Sequence, residues 1–133
     1  FSIRSPITPS HTYYYIEIYY KMLSNFDLED IAENYGFALD SVLMKDELKA
    51  IKPKNGNFIV NMESSTEGQG SHWVCCILRG KQSVYVDSFG VIPPQEVISF
   101  CKKIPNSHLG YSEFQMQNLK AETCGFFCCA VLI

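Results

Sequence analysis

Two apolar arms on either side of Arg79-Gly80-Lys81 constrain the fold of this chain more than any other feature. Residues 72–78 and 82–87 are rich in β-branched, aromatic and other apolar side chains, and a two-residue turn at Arg79-Gly80 joins them. Such a pair of arms predicts a β-hairpin. The hairpin places His72 and Asp87 side by side at one end, where the β-carbons of cross-strand neighbours lie roughly 4.5–5.5 Å apart.

The sequence around this hairpin predicts further strands and helices. Strands at 57–62 and 109–116 would extend the hairpin into an antiparallel sheet. Asp27 is a suitable N-cap and Gly36 a suitable stop for a helix between them. A further turn or short helix is predicted at 40–50, a helix from Pro93-Pro94 to about Lys103, and a last helix from Cys124.

The length of 133 residues predicts one domain over residues 1–133, with residues 1–25 as an N-terminal extension of it. Residues 1–12 carry Pro6 and Pro9 and predict an extended arm. Residues 13–23 are compatible with a strand or a helix, and we favour the helix.

The charge balance gives no support to a nucleic-acid or membrane partner. The net charge is −3, from 14 acidic and 11 basic residues. The basic cluster Lys45, Lys49, Lys52 and Lys54 is interpreted as a solvated helix face and turn. The longest apolar run, at the C-terminal end, is far shorter than the roughly 18–20 residues of a membrane span.

Six cysteines occur, and we interpret most of them as small buried hydrophobic residues. Adjacent cysteines on a strand face opposite ways, which does not suit a disulfide framework. The sequence has no C-x-x-C and no His pair at ligand spacing, so we predict no metal and no cofactor. A reducing intracellular compartment is the corresponding expectation.

Cys124-Gly125 opens an apolar run that continues to Ile133 and predicts a buried helix. The unpaired N–H groups and the macrodipole at a helix N-terminus favour negative charge on a sulfur there. Gly125 would let a substrate approach the backbone closely. Gln117, seven residues upstream of Cys124, has a side-chain amide able to donate to a developing oxyanion.

The predicted hairpin relates His72 and Asp87 to the chemistry of Cys124. Asp87 would accept a hydrogen bond from one imidazole nitrogen and fix the tautomer, while the other nitrogen faces the sulfur. Taken singly, the histidine is an ordinary strand-start residue, the aspartate a turn residue and the cysteine a buried thiol. Their combination in hairpin-compatible positions predicts a cysteine endopeptidase.

This combination resembles the adenovirus-type endopeptidases (adenains) and the related proteases that remove SUMO. Their pattern is His-Trp, an acid on the following strand, and Gln shortly before Cys-Gly. The acid-x-Phe-Gly element and the doubled cysteine after Cys-Gly are most similar to the viral branch, including proteases of adenoviruses, virophages and polinton-type elements. The resemblance covers about residues 55–133. The residues that carry it are His72-Trp73, Val86-Asp87-Ser88-Phe89-Gly90, Gln117 and Cys124-Gly125-Phe126-Phe127-Cys128-Cys129.

The resemblance implies an α+β cysteine-protease fold with a central antiparallel sheet flanked by helices and the nucleophile at the N-terminus of a buried helix. Cys124 would be the nucleophile, His72 its general base or imidazolium partner, and Asp87 the group that orients the histidine. Gln117 would donate to the oxyanion together with the backbone N–H of Cys124. Trp73 would help to close the substrate channel.

The resemblance further implies a viral endopeptidase that cleaves precursor proteins, notably capsid components, often next to glycine, during virion maturation. Such an enzyme would act in the virion and the infected host cell. Adenains are activated by a basic peptide and by DNA. The acidic net charge does not support a DNA cofactor here, and the need for an activating peptide stays open.

Two departures from the adenain pattern keep other functions open. Asp87 is the orienting acid of the SUMO-protease branch, whereas adenains commonly use Glu. Gln115 is a second candidate for the oxyanion donor, although its nine-residue offset from Cys124 fits worse. The alternatives are a protease acting on host ubiquitin-like conjugates and an inactive binding module of the same fold.

Overall fold

The computed structural model describes residues 23–65, 72–115 and 124–133. The predictions for residues 1–22, an extended arm followed by a helix, lie outside the described residues. Among the residues that are described, no helix is long and apolar enough to cross a bilayer. The elements in chain order are α1 (Asn25–Tyr35), β1 (Ser41–Met44), a 3-10 helix (Lys45–Ala50), β2 (Gly56–Asn61), β3 (Trp73–Arg79), β4 (Gln82–Val86), α2 (Gln95–Lys102), β5 (His108–Tyr111) and α3 (Cys124–Leu132).

The five strands form one sheet in the order β1-β2-β3-β4-β5. The three inner strands pair antiparallel, as the sequence predicts for the centre of the sheet. The two outer strands instead pair parallel with their neighbours, β1 with β2 and β5 with β4. Each parallel pair has a helical segment in its connection, because parallel strands cannot be joined by a tight hairpin. The fold is therefore α+β, with a mixed sheet.

The strand β1 differs from the sequence-based prediction of a turn or short helix over 40–50. The second half of that stretch is the 3-10 helix, whereas the first half joins the sheet beside β2. Asp40 sets this pairing, because its Oδ2 accepts from the N–H of Asn57 at 2.7 Å. Its own N–H donates to the carbonyl of Asn57 at 2.9 Å. The register then continues from Ser41 opposite Phe58.

The central strand β3 is buried on both faces and separates two apolar cores. Trp73 and Cys75 pack into the core beneath α1 and α3. Val74 and Cys76 pack into the core beneath α2 and the 3-10 helix. The sheet therefore lies between two helical layers. All six cysteines are buried and none forms a disulfide.

Helix α1 begins three residues earlier than predicted, because Ser24 rather than Asp27 is its N-cap. The Ser24 Oγ accepts from the N–H of Asp27 at 3.1 Å, and the Asp27 carboxylate accepts from the N–H of Ser24 at 2.9 Å. This reciprocal pair is a capping box. The helix ends as predicted at Gly36, which adopts a left-handed conformation with φ 70°.

Two boundaries near the hairpin also differ from prediction. The turn falls on Gly80 and Lys81, since Arg79 pairs with Gln82 as the last rung of the ladder. Gly80 has φ 59°, which glycine adopts without the steric strain of a side chain. The last strand, β5, begins one residue before the predicted range 109–116 and is shorter. Only residues 108–111 pair with β4.

The left-handed glycines provide a test of how tightly the connection after β4 is packed. Gly90 has φ 72°, and a Cβ there would lie 2.8 Å from the carbonyl oxygen of Glu113 and 2.9 Å from the N of Gln115. Gly80 has φ 59°, and a Cβ there would meet nothing within 4 Å. Both positions therefore have a backbone conformation that would be strained with a side chain, but only Gly80 has space for a Cβ.

We predict that Gly80→Ala lowers the free energy of unfolding by about 1 kcal/mol, the strain of a left-handed alanine. Gly90→Ala should lower it by about 3 kcal/mol or more, because backbone atoms must also move apart. Urea denaturation of both variants measures the difference. Equal losses would mean that Gly90 is needed only for its backbone conformation.

Candidate active site

The structure brings His72, Asp87 and Cys124 together from three different elements. His72 immediately precedes β3, Asp87 immediately follows β4, and Cys124 is the first residue of α3. Because β3 and β4 are antiparallel neighbours, the start of one and the end of the other lie at the same edge of the sheet. The His72 Nε2 lies 2.7 Å from the Asp87 Oδ1.

Asp87 is a buried carboxylate, 3 % exposed, whose partners come from its own turn and from His72. Its Oδ1 accepts from the N–H of Phe89 at 2.8 Å as well as from the imidazole. Its backbone carbonyl accepts from the N–H of Gly90 at 2.8 Å. A buried charge is stable only with hydrogen-bond partners, and the turn over residues 87–90 provides one of them for the carboxylate of Asp87.

The sulfur of Cys124 lies at the N-terminus of α3 and is only 1 % exposed. The backbone N–H of Trp73 donates to this sulfur at 3.3 Å. A backbone donor and a helix N-terminus both favour negative charge on an acceptor. The surroundings of the sulfur therefore suit a thiolate.

The imidazole of His72 lies between two groups that favour its charged form. Burial opposes that charge, but hydrogen bonds to Asp87 and to Cys124 outweigh it and raise the pKa of His72 to about 9. Because Nε2 is engaged by the carboxylate, Nδ1 is the nitrogen left for the sulfur. At neutral pH the site thus holds a cation between a carboxylate and a sulfur.

Phe89 is a further residue at this site, and it was not among the residues predicted to take part in the chemistry. Its ring stacks on the His72 imidazole with centroids 4.1 Å apart and planes 5° from parallel. The sequence holds a signal for this contact. The β3–β4 pairing of Arg79 with Gln82 and of Cys75 with Val86, continued three residues further, places His72 opposite Phe89.

The two residues predicted to bind substrate are both packed against Leu23. The Trp73 ring is buried, and its Nε1 donates to the Leu23 carbonyl at 2.7 Å. A Cβ on Gly125 would lie 2.9 Å from the Leu23 Cδ1, so this glycine leaves room for the leucine side chain. These contacts give Trp73 and Gly125 structural roles, and substrate binding by either stays a prediction.

A cavity of about 440 Å³ lies beside Trp73, between the N-terminus of α1 and the edge strand β1. Trp73 connects it to the site, because the backbone N–H of the same residue donates to Cys124. The cavity is lined by Ser24, Asn25, Phe26, Val42, Leu43, Met44, Glu47, Ser65 and Trp73.

Of the two predicted oxyanion donors, the backbone N–H of Cys124 lies at the start of α3. The other, the side chain of Gln117, lies outside the described residues, and its role stays a prediction. Gln115 is exposed in the segment after β5, and its backbone N lies next to Gly90. In the described ranges, no group of three or more His, Cys, Asp and Glu side chains is arranged to hold a metal ion.

Solved structures of the ASFV pS273R protease share this fold. The selenomethionine form of that protease aligns with a TM-score of 0.57 at 15 % identity, covering 93 % of this chain and 68 % of that chain. A second crystal structure of it gives a TM-score of 0.55 at 17 % identity, covering 84 % and 56 %. No protein-family model and no curated protein matches the chain. The likeness shows that this chain shares the fold of that protease.

The charge on Asp87 can be removed with little change of shape. We predict that Asp87→Asn lowers the pKa of His72 from about 9, because the amide oxygen still accepts from the imidazole but no longer carries a negative charge. The measurement is an NMR pH titration of the His72 ring. Asp30→Asn, on the exposed face of α1, is the matched control and should leave the titration unchanged. An unaltered pKa in Asp87→Asn would mean that the carboxylate does not hold the charge on the imidazole.

Proposed function

We propose that this chain is a viral cysteine endopeptidase with Cys124 as nucleophile. The observation that carries the proposal is the contact of one imidazole, that of His72, with both the Asp87 carboxylate and the Cys124 thiol. The fold shared with the ASFV pS273R protease, a viral protease by name, supports the same activity. An inactive binding module has no need of a partly buried, charged histidine beside a thiol.

The acylation step transfers the substrate acyl group to sulfur. The Cys124 thiolate attacks the carbonyl carbon of the scissile peptide, and the electron pair of the C=O moves to oxygen. The His72 imidazolium then gives its proton to the leaving nitrogen as the C–N bond breaks. A thioester and a free amine result, and Asp87 holds the imidazole in place throughout.

The second step releases the acid. Neutral His72 removes a proton from water, whose oxygen attacks the thioester carbon, and the C–S bond breaks to regenerate the thiolate. In both steps the negative carbonyl oxygen needs donors. The backbone N–H of Cys124 at the start of α3 and the side-chain amide of Gln117 are the donors we propose.

The substrates we propose are viral precursor proteins, notably capsid components, cleaved next to glycine during virion maturation in the infected cell and the virion. A residue with no side chain fits a site whose sulfur is almost fully buried. The cavity beside Trp73 is the candidate we propose for binding substrate side chains. An activating peptide is compatible with this scheme, and the scheme does not require nucleic acid.

The nucleophile is tested by incubating the cognate capsid precursor with the wild type and with Cys124→Ala. Wild type should cleave it, and Cys124→Ala should reduce turnover to background, because no other group replaces the thiolate. Cys101→Ala is the matched control. Its thiol is equally buried but lies in the core on the other face of the sheet, so turnover should persist.

The same assay separates the substrate classes. A SUMO-fusion protein is incubated beside the capsid precursor under identical conditions. Cleavage of the fusion alone would replace the viral substrate with a host ubiquitin-like conjugate. Cleavage of the precursor by Cys124→Ala at the wild-type rate would overturn the nucleophile assignment.

The charge on His72 also predicts the alkaline limit of activity. Acylation requires the imidazolium, so kcat/KM should fall as pH rises through about 9. The free energy of unfolding should also decrease as pH rises, because the pKa of His72 is raised above its unfolded value of about 6.5. Its contribution is fully present below about pH 6.5 and is lost as pH rises to about 9. Peptide cleavage and urea denaturation across this range measure both, and activity that is flat up to pH 10 would contradict the assignment.

A further inference from the structure

We infer that Phe89 is a positioning residue of this site, whose ring holds the His72 imidazole in the plane where one nitrogen meets Asp87 and the other meets Cys124. The inference rests on the proposed function for its consequence in turnover. Its geometric basis is independent of any substrate. The ring of Phe89 stacks on the imidazole, so we infer that Phe89 acts through the histidine.

A histidine held by one hydrogen bond is not fully oriented. Rotation about the bond between Cβ and the ring is soft, because torsions between sp³ and sp² atoms have broad minima. Parallel stacking at 4.1 Å and 5° restricts the imidazole to two orientations, which differ by half a turn. The 2.7 Å bond from Nε2 to Asp87 then selects one of them. Both contacts are required to point Nδ1 at Cys124.

Phe89 can perform this role only if it is itself fixed, and its turn provides that. Its N–H donates to the Asp87 Oδ1 at 2.8 Å, the same oxygen that accepts from His72. The next residue, Gly90, donates to the Asp87 carbonyl and lies against the backbone of residues 113–115. The carboxylate and the stacking ring are therefore parts of one rigid unit.

The ring also affects the charge of the histidine. The titratable groups that interact with His72 are Asp87, at the end of β4, and Cys124, at the start of α3. Phe89 adds an uncharged face that excludes water from one side of the imidazole. The negative face of an aromatic ring attracts a cation stacked on it, which an aliphatic side chain of similar size does not.

The test compares Phe89→Leu, which keeps the bulk without the aromatic face, with Phe89→Tyr, which keeps the face. Phe37→Leu, at a partly buried phenylalanine near α1, is the control for a general loss of packing. Two readouts need no substrate. One is the NMR titration of His72, and the other is the rate at which iodoacetamide alkylates Cys124, measured by mass spectrometry.

We expect Phe89→Leu to lower the pKa of His72 by about half a unit and to slow alkylation at neutral pH about 3- to 10-fold. Phe89→Tyr and Phe37→Leu should match the wild type. In a peptide-cleavage assay, Phe89→Leu should lower kcat with little change in KM, because substrate binding does not involve the ring. If Phe89→Leu does not fold, Phe89→Met carries the same expectation.

The positioning role is overturned if Phe89→Leu lowers only the thermal midpoint while the titration and the alkylation rate stay at wild-type values. It is also overturned if Phe89→Tyr is as impaired as Phe89→Leu. Should the wild type cleave no peptide while both substrate-free readouts respond as expected, the stack is supported and the proposed proteolytic function is not.

Discussion

The two-sided burial of β3 is the constraint on which the rest of the molecule depends. Alternate residues of this strand belong to different cores, with Trp73 and Cys75 on one side and Val74 and Cys76 on the other. A slip of one residue would exchange the two sets and leave neither helical layer with a matching surface. The same register fixes the position of His72 at the strand's beginning, so the packing of the core determines the geometry of the site.

The site is completed by elements that the strand brings to its edge. The backbone N–H of Trp73 reaches the sulfur at the start of α3, which ties the helix to the sheet next to the histidine. On the other side, β4 ends in a turn whose first residue is the buried carboxylate. Each of the three groups lies at the end of a strand or helix, or directly beside one, and packing already fixes the position of these elements. The packed elements therefore bring the three groups together.

Local signals in the sequence predicted what depends on local structure. The hairpin, the helix that begins at Cys124 and the meeting of His72 with Asp87 follow from periodicity and turn residues. The strand β1 was missed, since its four residues pair with β2 through a contact between Asp40 and Asn57 that only the folded chain brings together. Ser24 was missed as the N-cap because an aspartate such as Asp27 suits two positions. It can be the N-cap itself, or it can be the third residue of the helix and complete a capping box. The contact between Phe89 and His72 can be predicted by pairing residues outward from the hairpin turn, but only if the turn is placed on Gly80 and Lys81.

The turn after β4 combines several requirements in four residues. Asp87 orients the histidine, Phe89 stacks on it, and Gly90 allows the backbone of residues 113–115 to approach. Asp87 accepts from His72 and from the Phe89 N–H through its Oδ1, and from the Gly90 N–H through its backbone carbonyl. Because all three contacts meet at one residue, a change at any of them moves the others, and the effects of combined substitutions should not be additive. Displacement of this turn would therefore disturb the orientation of the histidine and the contact with residues 113–115 together, which links the charge chemistry of the site to a single packing contact.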